Sequence, residues 1–191
     1  TLKKLEGKKF SYPVGISIGK TNTPTITTQE EAVGDVVLAF IKAEKSPVPF
    51  AYYELNISCP NLFGSIEFYQ PVHLEQLLQA IESLKIARPI FIKMPISKTD
   101  QEISSMMEVI IRYSSIKAVI FGNLQQNRQN PMLKEDEVKK FPVGNFSGLP
   151  CQERSDELIK MIFKNYGTNI KIIGCGGVFC AKDAYRKIKL G

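Results

Sequence analysis

The sequence holds one histidine and four cysteines, and none of its apolar runs approaches the ~20 residues that a membrane-crossing helix needs. The histidine, His73, reads as a surface residue at a helix start, so no constellation of metal ligands is available and no metal is expected. Cys59, Cys151, Cys175 and Cys180 include no C-x-x-C pair and are too sparse for a disulfide framework in 191 residues. That usage points to a reducing compartment. The first residues, TLKKLEGKKF, lack the apolar core of a signal peptide, so the expected location is cytoplasmic. Internal repeats and low-complexity tracts are also lacking.

What is present is an ordinary globular composition. Apolar residues make up 43% of the chain, enough to bury a core, and a single domain over residues 1–191 is the expectation. The net charge of +6 raises the question of a nucleic-acid partner. The lysines, however, are scattered over helix faces and termini (Lys3, Lys4, Lys8, Lys9, Lys139, Lys140, Lys182, Lys187, Lys189) without interleaved aromatics. They read as a solvated surface, and no nucleic acid is expected. An anionic substrate or a phosphate-bearing cofactor would benefit from the same field.

Short β-rich runs alternate with amphipathic helical segments. The runs are VGISIG (14–19), YYELNIS (52–58), PIFIKM (89–94), KAVIFGN (117–123) and KIIGCGG (171–177). Thr28-x-x-Glu31 and Thr99-x-x-Glu102 are capping boxes ahead of apolar residues at helical spacing. Further helices are read at 73–84, 155–165 and 181–189, while 127–146 reads as the longest irregular stretch. Five βα units in series give an α/β fold with a parallel sheet. Polar residues recur at the C-terminal strand ends, which favours a (β/α)8 barrel over an open sheet, because a barrel gathers those ends on one active face. Five strands do not close such a barrel. The chain is therefore read as an internal piece of a longer polypeptide, a partial barrel with its first strands and last strand missing.

The strand ends carry the candidate chemistry. In ELNISCPN a thiol, Cys59, stands between two amides, Asn56 and Asn61. A thiol is a usable general base where its surroundings favour the thiolate; the alternative is a small buried apolar residue. The asparagines suit the amide and carboxylate edges of a ring, or serve as turn residues. Asn123 repeats the pattern two strands later. Lys93 lies in the apolar run PIFIKMP, where a charge is costly unless an anion or carbonyl receives it or the side chain snorkels to water. Gly176 and Gly177 end a strand ahead of a helix, which suits a phosphate or a plain tight turn, and Gly148 in FSGLP is their expected partner on the neighbouring loop.

Together ELNISCPN, the lysine of IFIKMP, VIFGNLQQNR, GNFSGLP and IIGCGGVFCAKDAYRKIKLG resemble dihydroorotate dehydrogenase, a flavin enzyme of pyrimidine synthesis, over nearly the whole chain. The resemblance implies a barrel with FMN across the C-terminal strand ends and oxidation of dihydroorotate to orotate. It places Cys59 as the base that removes the C5 proton while hydride leaves C6. It implies FMN contacts from Ser17, Asn56, Lys93, Gly122, Gly148, Gly176 and Gly177, and substrate contacts from Asn56, Asn61, Asn123 and Leu124. The expected electron acceptor is a quinone, with fumarate, or NAD through a partner subunit, as alternatives. Membrane contact, at the inner face of the cytoplasmic membrane, would come only through a missing N-terminal segment.

The match has departures. Cysteine stands at the base position, as in the soluble branches, where the quinone-using branch carries serine, although GNFSGLPCQERS and FGSIEFYQP look more like the latter. Ser17 replaces its asparagine, Gly122 a threonine beside the flavin, and Leu62 a threonine that would pass the proton outward. The other readings are a related FMN barrel acting on another dihydropyrimidine and a non-redox barrel binding a phosphorylated ligand. Cys59 and Lys93 speak against the last.

Overall fold

The βα alternation is realised along the whole chain. The computed structural model describes residues 2–59 and 66–191. Its elements run α1 (Leu2–Leu5), β1 (Gly15–Ile18), α2 (Gln29–Glu44), β2 (Tyr52–Asn56), α3 (Pro71–Glu82), β3 (Ile90–Lys93) and α4 (Asp100–Ile110). After these come β4 (Ile116–Phe121), α5 (Glu135–Lys140), a 3-10 turn (Leu149–Cys151), α6 (Gln152–Tyr166), β5 (Lys171–Gly174) and α7 (Ala181–Leu190). The strands are ordered as in the sequence, β1-β2-β3-β4-β5. β1 pairs in parallel with β2, Gly15 opposite Tyr52 and Ile18 opposite Leu55. β4 pairs in parallel with β5, Ala118 opposite Lys171 and Phe121 opposite Gly174. Sequential parallel neighbours require crossovers, and the helical segments between successive strands, α2, α3, α4 and α5 to α6, supply them.

The chain divides into two compact units. The first comprises the described residues of Thr1–Ile57, Leu62–Ile92 and Glu102–Lys117. Its helix α2 starts at the expected capping box: the Glu31 amide donates to Thr28 Oγ1 at 3.2 Å and the Thr28 amide to Glu31 Oε2 at 3.0 Å. From there Ala32, Val36, Phe40 and Ala43 form one buried stripe. Strand β2 alternates, with Tyr53 and Leu55 fully buried and Tyr52, Glu54 and Asn56 half-buried on the other face. The Tyr53 ring meets Phe40 edge-on at 5.4 Å. Its hydroxyl donates to the Glu44 carboxylate, which Arg88 also binds, while Arg88 Nε reaches the Phe50 carbonyl at 2.8 Å. Pro71 opens α3, which buries Leu74, Leu77, Leu78 and Ile81.

The second unit comprises the described residues of Ser58–Asn61, Lys93–Gln101 and Ala118–Gly191. Here Ala118, Val119, Ile120 and Phe121 of β4 are all buried, as are Ser155, Leu158, Ile159 and Ile162 of α6. Helix α7 is joined to α6 by Asp156, which takes Arg186 Nε and Lys187 Nζ at 2.7 Å each.

Three expectations change. Lys187, grouped with the solvated lysines, is 5% exposed, because α7 turns it towards α6 and an acid there neutralises it. The irregular stretch 127–146 contains α5, whose EDEVKK buries nothing and so leaves no apolar period to read. His73, on the third residue of α3, is half-buried rather than fully at the surface. No described helix is long and apolar enough to cross a membrane. Among the described residues no three His, Cys, Asp or Glu side chains come together in a way that could hold a metal ion.

Candidate active site

In the second unit the segment after β2 carries Ser58, buried, and Cys59, a half-buried free thiol. Asn123, just beyond β4, ties down this segment. Its Nδ2 donates to the Ser58 carbonyl at 2.5 Å and to Ser58 Oγ at 2.7 Å. Both amide hydrogens are therefore committed to the residue next to the thiol, and Oδ1 is the side that remains for a ligand. Leu124 follows, half-buried. Asn61 and Leu62 lie outside the described residues.

Lys93 ends β3. Alternation along IFIK buries Ile90 and Ile92 and leaves Phe91 and Lys93 half-buried on the opposite face of the strand. Its ammonium has no hydrogen-bond or ion-pair partner among the described residues. Gly122, also in this unit, is buried against Ile96: a Cβ there would lie 1.9 Å from Ile96 Cγ2, so a larger residue fits only if the Ile96 side chain shifts.

The glycine cluster is built from two loops. Gly148, at φ +81°, precedes the 3-10 turn, and its carbonyl accepts from the Cys151 amide at 3.0 Å. Gly176 and Gly177 follow β5 at φ +89° and +67°, a left-handed backbone that favours glycine. The loops touch: a Cβ on Gly176 would lie 3.1 Å from Cys151 Cβ, and Gln152 Nε2 donates to the Gly177 carbonyl at 2.5 Å. The amides of Gly176, Gly177 and Val178 have no hydrogen-bond partner among the described residues. Those of Phe179 and Cys180 are taken by Asp183 Oδ2 at 3.0 and 3.2 Å. The Phe179 amide foremost, with the Cys180 thiol, holds the Asp183 carboxyl below the usual carboxylate range. A phosphate would thus be met by the glycine amides rather than by those of Phe179 and Cys180 just ahead of α7, which the acid occupies.

In the first unit, Ser17 and Glu54 are register partners on β1 and β2, and Ser17 Oγ donates to Glu54 Oε1 at 2.7 Å. Asn56 ends β2, half-buried, on the same face of that strand as Glu54. Reading the sequence alone missed Asp183 and Gln152. Cys180-x-x-Asp183 has the spacing of a capping box, but with cysteine at its first position it gave no signal.

A family model described as "Dihydroorotate dehydrogenase" matches residues 1–191. The chain belongs to the dihydroorotate dehydrogenase family. Among its relatives, the dihydroorotate dehydrogenase (quinone) of Trichodesmium erythraeum is 29% identical over 195 residues, covering 98% of this chain and 50% of that protein. The corresponding protein of Streptomyces coelicolor is 28% identical over 189 residues, covering 95% and 49%. The chain thus spans about half the length of the curated relatives it matches. The crystal structure of ligand-free DHODH from Eimeria tenella superposes with a TM-score of 0.82 at 21% identity, covering all of this chain and 56% of that one. The fold is the expected α/β one, a partial (β/α)8 barrel. The family is one of flavin-dependent oxidoreductases.

Proposed function

We propose that the complete protein oxidises dihydroorotate to orotate for pyrimidine synthesis, with FMN as the bound flavin and a quinone as the final acceptor. Beyond family membership, the observation that carries this reading is Lys93, an ammonium at a strand end with no partner among the described residues. A charge in an otherwise apolar strand is costly unless an anion, a carbonyl or water receives it.

The residues present fit the cofactor. The unpaired amides of Gly176, Gly177 and Val178, with Gly148 on the adjoining loop, suit its phosphate. Gly122, just past the end of β4, is a further proposed flavin contact, through its backbone. Ser17 and Asn56 complete the proposed flavin contacts. When bound, FMN supplies a hydride acceptor whose reduced ring carries negative charge.

The chain's own groups do the rest. Cys59 takes the C5 proton as the C5–C6 double bond forms, while the hydride leaves C6 with its electron pair. Asn56, Asn61 and Asn123, with Leu124, hold the ring; for Asn123 that role falls to Oδ1. Lys93 places a fixed cation beside the cofactor and so favours its reduction. Leu62 carries no exchangeable proton, so the proton on Cys59 leaves by water. The names of the relatives support a quinone, which would take up two electrons and two protons. Cysteine at the base position favours a second reading of the acceptor: fumarate, or NAD through a partner subunit. The proposed location is cytoplasmic, with any contact at the inner face of the cytoplasmic membrane made by segments outside this chain.

The test is Lys93→Met in the complete protein. The flavin midpoint potential is expected to fall, and its reduction by dihydroorotate to slow by a factor on the order of 10² or more. An unchanged potential with normal reduction would assign the lysine to solvent.

A further inference from the structure

Ser155, on α6, is fully buried, and its hydroxyl lies 2.7 Å from the Cys175 carbonyl and 3.0 Å from that of Phe121. These two carbonyls sit where β4 and β5 stop. The ends are already cross-bonded, Cys175 N to Phe121 O at 2.5 Å and Gly122 N to Cys175 O at 3.2 Å. Immediately beyond them the chain turns into Gly122-Asn123 on one side and Gly176-Gly177 on the other.

Lys187 reaches the same hydroxyl. Its Nζ lies 2.9 Å from Ser155 Oγ and 2.7 Å from Asp156 Oδ1. An ammonium donates only, so it fills a lone pair on Oγ and leaves the single hydroxyl proton for the backbone carbonyls. Asp156 also accepts from Arg186 Nε at 2.7 Å, and Arg186 reaches Asp183, the cap of α7, at 3.2 Å. The strand makes room for this arrangement: at Gly174, the last residue of β5, a Cβ would lie 3.0 Å from Lys187 Cδ and 3.0 Å from Ile159 Cδ1. Packing alone would be served as well by an apolar residue, since a buried ion pair adds little stability over a well-packed hydrophobic one. A polar chain that ends on two strand-end carbonyls does something that packing does not.

We infer that Lys187 and Ser155 act together as positioning residues, fixing the ends of β4 and β5 at the spacing on which the Gly122 and Gly176-Gly177 contacts with the flavin depend. The inference rests on the reading of those strand ends as FMN contacts. Neither residue touches the cofactor.

The experiment compares Ser155→Ala, Lys187→Met and the double variant of the complete protein. FMN affinity is measured by fluorescence on the apoproteins, and each apoprotein is melted. Lys187→Met keeps the apolar stem and leaves Asp156 paired with Arg186. Each single variant is expected to bind FMN about tenfold more weakly, the scale of one lost hydrogen bond. The double variant should be no weaker than the worse single one, because both act through one chain of bonds. FMN affinity equal to that of the unmodified protein, even with a lowered melting temperature, overturns the inference and leaves these residues as packing. Independent, additive losses also overturn it. If Lys187→Met does not fold, Ser155→Ala decides alone, since it leaves the Lys187–Asp156 pair in place. An unmodified protein that binds no FMN overturns the functional reading itself, and this inference with it.

Discussion

Cys59 and Cys151 are thiols of the same unit with opposite surroundings. Burial pushes the Cys151 thiol up, and its Sγ donates to the Phe146 carbonyl at 3.3 Å, as suits a packed core residue. Cys59 is half-buried at a strand end beside an anchored segment. General-base catalysis is worth about 10²–10⁴ in rate, so Cys59→Ala in the complete protein should slow flavin reduction by about that factor. Reoxidation needs no proton from C5 and should be nearly unaffected. Stopped-flow traces of the two half-reactions check this, and equal slowing of both would mark general damage to the site. Tyr53 offers a test of stability. Burial, then its bond to Glu44 and the charge of that carboxylate, raise the phenol from 10.0 to about 12. The folded state thus binds this proton more tightly than the unfolded chain. Its contribution is fully present below pH 10, and it is lost as the pH rises to about 12. Denaturant titrations across that window should show stability falling, and Tyr53→Phe should flatten the slope.

Most elements were legible from period and caps. Thr28-x-x-Glu31 marks the start of α2 within one residue, because a capping box is a local motif whose partners are three positions apart. Thr28→Ala should cost about 0.5–2 kcal/mol, read from chemical denaturation, with no change in flavin affinity. The strands were read too long at their C-terminal ends. Ile57-Ser58, Gly122-Asn123 and Cys175-Gly176-Gly177 were read as strand continuations, yet β2, β4 and β5 stop at Asn56, Phe121 and Gly174, where the chain leaves the ladder to form loops; glycine and asparagine disfavour strand. The proposed site residues on those loops drew notice because an amide, thiol or charge stood out against an apolar strand. Ser155 and Lys187 were not, since their contact joins residues 32 apart in sequence and helical spacing says nothing of such pairs.

At the scale of the molecule, the family match extends over residues 1–191 while the chain spans about half of its curated relatives. Of the proposed groups, Asn56 and Lys93 end strands β2 and β3, Cys59, Asn123, Gly176 and Gly177 follow β2, β4 and β5 within three residues, and Gly148 stands ahead of the 3-10 turn. They form one working site only if the complete protein carries a flavin that dihydroorotate reduces. The most direct measurement is to purify the complete protein and mix it anaerobically with dihydroorotate while following the visible flavin absorption. The band is expected to bleach as orotate forms, one orotate per flavin, and to return on addition of a quinone. A colourless protein, or a flavin band that dihydroorotate leaves unchanged while dithionite bleaches it, would contradict the proposed function.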